Sequence, residues 1–154
     1  MGPSLRGCPI VGFYNEAKGD FEEHNQQINI SNGEWKLSDT TTPYGFIDLN
    51  AKVWFATYLD DGKVERTYLC TEGYIWDHAY PEAERIKTKG NNQSMEFDEP
   101  TLKGSWEEDE DGWPQFFIVN EAFISKLCIL GEEYEPCFEG SQITSFSLVV
   151  DDSF

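Results

Sequence analysis

Lys52-Val53-Trp54-Phe55-Ala56-Thr57-Tyr58-Leu59, followed after four residues by Val64-Glu65-Arg66-Thr67-Tyr68-Leu69-Cys70, is the stretch that decides the fold. Both runs are rich in β-branched and aromatic residues, which fit a pleated surface better than a helix. Asp61-Gly62 lies between them and is a strong hairpin signal. The two runs therefore read as paired antiparallel strands.

The same grammar continues in both directions. Upstream, Pro9 to Tyr14 reads as a first strand, and Ile28-Asn29-Ile30 pairs with Glu34-Trp35-Lys36-Leu37 around Asn32-Gly33. Asp39 to Pro43 is a loop, and Tyr44 to Ile47 starts another strand. Downstream, Gly73 to Trp76 stays β-like. The period then changes. Pro81 to Lys87 carries good helix formers, with Pro in the first turn and acids near the start. Lys87 and Lys89 suit the negative end of that helix, and Gly90 stops it. Gly90-Asn91-Asn92 reads as a turn, with Ser94-Met95-Glu96-Phe97 as the next strand. Glu107 to Asp111 is an exposed acidic turn. Gln115 to Leu130 fits two strands, or a strand and a short helical turn. Many short strands with one or two small helices predict an α+β, mainly β domain: a small β-barrel with a few peripheral short helices.

The chain has 154 residues, enough for one domain with a single core. It carries 29 acidic and 11 basic residues, a formal charge of −18. That charge opposes nucleic acid and anionic membranes and favours solubility or a basic partner. The apolar runs are too short to span a bilayer as helices. Cys8, Cys70, Cys128 and Cys137 form no Cys-x-x-Cys pair and have no histidine at zinc-finger spacing. Cys70 and Cys128 sit in apolar runs and read as small core residues, consistent with reduced thiols in a cytoplasm.

Candidate chemistry is sparse. No metal or cofactor is expected: there is no His-Glu-x-x-His, no spaced calcium-loop ligands and no phosphate-binding glycine loop. The two histidines are His24 and His78. His24 lies beside Glu22 and Glu23, carboxylates that can orient an imidazole and raise its basicity. His78 precedes the predicted helix. Among the serines Ser94 has the most suggestive setting, at the start of a strand after a turn, where a nucleophile is both rigid and reachable. No Gly-x-Ser-x-Gly elbow exists, which disfavours an α/β-hydrolase.

Gly73-Tyr74-Ile75-Trp76-Asp77-His78-Ala79-Tyr80-Pro81-Glu82-Ala83-Glu84-Arg85-Ile86, followed by Gly90 and Ser94-Met95-Glu96, resembles the nucleophile region of tailed-phage prohead (capsid maturation) serine proteases. Glu23-His24-Asn25 with Pro43-Tyr44-Gly45-Phe46-Ile47 resembles that family's histidine segment and the strand after it. Ile124 to Leu130 resembles its closing strand. Arg6 to Gly12 and Glu135 to Gly140 look like a variant in which the protease precedes a scaffolding segment.

The resemblance implies a herpesvirus-assemblin-like fold and a serine endopeptidase that cleaves scaffold and capsid-protein extensions. Ser94 would be the nucleophile, His24 the base, and Glu121 the lead residue to orient His24, with Glu22, Glu23 and Asp48 left open. The substrates would be scaffold and major capsid protein, inside the procapsid in a host bacterial cytoplasm, with room for a homo-oligomer. Residues 1–7 would be an N-terminal extension or expression remnant, 8–142 the protease-like domain, and 143–154 a segment leading toward a scaffold. Glu96 departs from the family, where many relatives have glycine. It points to the same side of the strand as Ser94, where it would repel an oxyanion or fix an imidazolium. The alternatives are a non-catalytic capsid-assembly or binding domain on the same fold, and an unrelated acidic β-sandwich that binds ligands through exposed aromatics.

Overall fold

The structure is a computed structural model that describes residues 2–24, 26–59 and 62–144. Asn25, Asp61 and the segment 145–154, which entered the expectations above, lie outside the described residues. The strands are β1 (Pro9–Gly12), β2 (Tyr14–Asn15), β3 (Asp20–Phe21), β4 (Gln26–Ser31), β5 (Glu34–Asp39), β6 (Thr42–Phe46) and β7 (Val53–Leu59). They continue with β8 (Glu65–Thr71), β9 (Tyr74–Ile75), β10 (Asn91–Phe97), β11 (Lys103–Glu108), β12 (Pro114–Glu121), β13 (Ile124–Leu130) and β14 (Gln142–Ile143). One α-helix, α1 (Glu84–Lys89), and three short 3-10 turns complete the set among the described residues. The domain is mainly β with a few short helices, as the strand-rich grammar predicts.

Six strands form the main sheet in the order β14-β10-β13-β1-β6-β9, and it curls as a half-barrel. Pairings are antiparallel except β1 with β13, which run parallel. The β10–β13 register sets Gln93 opposite Ile129 and Met95 opposite Leu127, and β1 adds Ile10 beside Leu127. Strand alternation puts these residues on one face. That face holds the main core of Ile10, Phe21, Tyr44, Ile86, Leu127 and Ile129, closed by Leu5 from the N-terminal turn. Burying a side chain such as Ile129, at 1% exposure, stabilises the fold by about 1.5–3 kcal/mol. The opposite face carries a smaller cluster of Val11, Cys128 and Leu130 under Tyr134.

Residues 2–7 are part of this body, not an extension ahead of it. Leu5 is a core residue, the Arg6 Nε–H donates to the Ala51 carbonyl and the Gly7 N–H donates to the Ile47 carbonyl. The expected boundary after residue 142 also falls inside β14, which pairs with Asn91 and Asn92 of β10.

The predicted helix is present. Pro81–Ala83 form a 3-10 turn that runs into α1, and Gly90 ends it at φ 70°, a left-handed value that favours glycine. Asn91 and Asn92 are strand residues, however, and not a turn. Their side-chain amides donate to the carbonyls of Leu130 and Tyr134, which holds them to neighbouring chain and extends β10 back to Gly90.

The hairpins follow their turn residues. Asn32 and Gly33 have φ of 52° and 77°, the doubly left-handed geometry that an Asn-Gly loop prefers. The opening stretch pairs as read, from Val53 with Thr71 to Leu59 with Glu65. Residues 114–130 are two strands, β12 and β13, and β12 turns back on β11. Within the acidic run, Glu107 and Glu108 are strand. The turn proper is held by the Asp109 carboxylate, which accepts from the N–H groups of Asp111 and Trp113. Hence β4–β5, β7–β8 and β11–β12 are three ribbons of two strands each, outside the main sheet.

Candidate functional site

The site is built on the smaller face of β10 and β13. Ser94 faces Cys128 and Glu96 faces Lys126 across the antiparallel pair, so all four side chains share one side of the sheet. His24, from the segment after β3, reaches this face. Its Nδ1 lies 2.7 Å from Glu96 Oε1. The Lys126 ammonium lies 3.1 Å from Glu96 Oε2, and the Cys128 thiol donates to Glu96 Oε1 at 3.5 Å. Glu96 is thus the hub, bridging an imidazole, an ammonium and a thiol.

Burial pushes the Glu96 carboxyl up. The hydrogen bonds from His24 and Lys126, with the nearby positive charge, outweigh it and hold the group below the ordinary glutamate range. Glu96 is therefore a carboxylate at neutral pH, able to attract a cation or orient an imidazole.

Ser94 is 1% exposed, and its Oγ has no hydrogen-bond partner among the described residues. It is the fourth residue of a seven-residue strand, not the opening one, because β10 begins at Asn91. The reachability expected of a strand start is absent. Two surface depressions lie elsewhere, one lined by Thr101, Lys103 and Glu121 to Phe123, the other by Asn92, Glu135 to Cys137, Glu139 and Gly140. Neither is lined by Ser94 or His24.

The remaining candidates fall elsewhere. Glu121 ends β12 and pairs with Lys103 at 2.8 Å on an exposed ribbon. The carboxylate that meets His24 belongs to Glu96 instead, because the β10–β13 register turns Glu96 toward it while β12 leaves the sheet for its hairpin. Glu22 is engaged by Asn15, Lys18 and Tyr134. The Asp48 carboxylate accepts from the Asn50 N–H in its own turn. His78 is fully exposed beside Asp77.

His24, Glu96 and Cys128 offer a nitrogen, an oxygen and a sulfur ligand atom, all within 4.8 Å of one another. The sequence reading missed this trio. The residues stand 72 and 32 positions apart, so no local spacing marks them, and Cys128 sits in an apolar run. The signal within reach was Glu96, a charge on the same side of a strand as a buried serine. None of the four cysteines forms a disulfide among the described residues, and Cys8 is buried with its Sγ–H near the carbonyls of Ser4 and Ile124. Among the described residues no helix is long and apolar enough to cross a membrane.

A family model described as the YonD N-terminal domain matches the chain over residues 1–154. No curated protein and no solved structure matches it.

Proposed function

The chain belongs to the YonD N-terminal domain family, and from that premise we propose that it is a protein-binding assembly module whose β-ribbons engage a basic protein. The observation that carries this reading is the β11–β12 ribbon. Trp106 and Phe117 pack edge-to-face on one side of it, with centroids 5.3 Å apart, while Phe116 and Ile118 stand on the other side. A two-stranded ribbon can lay only one face on its own domain, so aromatics on both faces leave one for a partner. Trp106 and Phe116 are 61% and 58% exposed. The β7–β8 ribbon repeats the pattern, with Phe55 and Leu59 exposed on one face and Trp54 and Tyr58 exposed on the other.

The partner's chemistry follows from charge. The aromatic ribbon ends in Glu107 to Asp111, on a chain of net charge −18. Such a surface repels a second copy and nucleic acid and steers a basic protein toward it. In the procapsid setting that the sequence resemblance implies, this is a basic capsid or scaffold surface.

Titration calorimetry with a Lys/Leu amphipathic peptide as the probe tests the reading. Binding should weaken with salt and fall at least about tenfold in Trp106→Ser/Phe116→Ser, as loss of aromatic anchors does. Binding unchanged in that variant would reduce the effect to bulk charge and remove the proposal. A wild-type dimer in sedimentation, lost in the same variant, would make the occupant a second copy and remove the basic partner.

One observation favours a second reading, the serine endopeptidase. His24 is held by a carboxylate on the strand and face of Ser94, whose hydroxyl has no partner among the described residues. Substrate access would require β10 to open, since Ser94 is buried. Comparing self-cleavage of wild type and Ser94→Ala, each joined to a C-terminal extension, decides it. Equal processing removes the protease reading.

A further inference from the structure

We propose that His24, Glu96 and Cys128 form a binding site for a soft divalent cation of the zinc class. Three different ligand atoms converge from three places in the fold: the segment after β3, β10 and β13. A tetrahedral zinc site with ordinary bond lengths has ligand-to-ligand edges of about 3.3–3.6 Å. Glu96 Oε1 to Cys128 Sγ is 3.5 Å, already such an edge. Glu96 Oε1 to His24 Nδ1 is 2.7 Å, a hydrogen bond that must open by about 0.6 Å to reach that range, and the remaining edge, from His24 to Cys128, lies within 4.8 Å and closes toward the same range as the metal enters. Nitrogen and sulfur together select zinc-like metals over magnesium or calcium, which prefer all-oxygen cages.

A second, independent feature points into the same place. Ser94 is buried, sits directly opposite Cys128, and has an Oγ without a hydrogen-bond partner among the described residues. A buried hydroxyl without a partner is costly because it has given up its bonds to water, and a ligand beside it supplies one. The fourth position belongs to this hydroxyl or to a water it holds.

The proton balance is simple. The Cys128 S–H gives its proton to solvent and binds as thiolate. His24, whose Nδ1–H donates to Glu96 in the empty site, gives that proton up to solvent and binds through Nδ1 as neutral imidazole with its proton on Nε2. Glu96 exchanges its bond to His24 for the metal and keeps Lys126 on its other oxygen. Lys126, in contact with Glu96, is a charge that opposes the cation. Its role is that of a placeholder, neutralising Glu96 while the site is empty.

The test uses the full chain with cobalt(II) as a spectroscopic probe and zinc as competitor. One equivalent of cobalt should bind and show the thiolate-to-metal charge-transfer band with visible bands of tetrahedral strength, and zinc should displace it. The band should vanish in Cys128→Ser and His24→Gln, and persist in Cys70→Ser and Cys137→Ser. Lys126→Met should tighten binding by about tenfold, because a positive charge near the metal is gone. It keeps all three donors, so it carries the test if Cys128→Ser fails to fold. Substoichiometric uptake, a band that survives Cys128→Ser or His24→Gln, or cobalt displaced by magnesium would each overturn the site. The last result would mark adventitious binding to the acidic surface.

Discussion

Two residues show how register and sterics act at the smallest scale. Ser94 is a hydroxyl in a strand interior with no hydrogen-bond partner among the described residues. In the presence of a chelator, Ser94→Ala should not destabilise the protein. Removing an unsatisfied polar group is expected to raise stability by about 0.5–1 kcal/mol, read as a shifted urea midpoint. A clear loss of stability would mean that Oγ has a partner in solution. Gly45 is the opposite case. A Cβ there would lie 1.9 Å from the Tyr74 carbonyl oxygen, which belongs to the paired strand β9. Backbone cannot step aside cheaply, so Gly45→Ala should cost about 3 kcal/mol. Thermal unfolding measures it, and a wild-type melting temperature would disprove the close approach.

At the scale of elements, β13 carries the molecule. It lies between β10 and parallel β1, and its alternate residues feed both faces of the sheet. Ile129→Ala should therefore cost about 2–5 kcal/mol, the range for a large core side chain cut to alanine, against near-neutral effects for exposed Ser125. The β2–β3 turn is tied down by charge. Tyr134 O–H, Asn15 and Lys18 all donate to the Glu22 carboxylate and hold its pKa at about 2, against an ordinary 4.5. The sign follows from linkage. The unfolded chain takes up the proton first, so the stabilisation is full above about pH 4.5 and is lost as the pH falls toward about 2. Glu96, also held below its ordinary value, acts in the same direction. Glu22→Gln should flatten the acid limb of a stability–pH curve, and an unchanged slope would show that the Tyr134 clamp is absent in solution.

For the whole molecule the dominant facts are a charge of −18 and three ribbons that carry apolar residues outward, such as the exposed pair Ile30 and Trp35 on β4–β5. Self-repulsion of so many carboxylates should make the melting temperature rise with sodium chloride between about 0.01 and about 0.5 M. A flat response would mean that the carboxylates are already neutralised by local pairs. On the proposed reading, salt should weaken binding of the basic probe peptide at the same time, because opposite charge is part of that recognition. The two trends run in opposite directions, and together they separate folding electrostatics from recognition.

Local chemistry made much of the fold legible. Asn32-Gly33 set a hairpin, Pro81 and Gly90 bounded a helix, and the alternating aromatic runs marked strands β7 and β8, because turns, caps and strand period are short-range effects. The sequence by itself also determined the net charge of −18. Only the tertiary structure decided the site. Parallel pairing of β1 with β13, and the register that sets Ser94 against Cys128 and Glu96 against Lys126, join residues far apart in the chain. That register replaced Glu121 with Glu96 as the carboxylate on His24. The physical reason is that a one-residue slip in a strand turns every side chain to the other face, and long-range packing, not local propensity, chooses the slip.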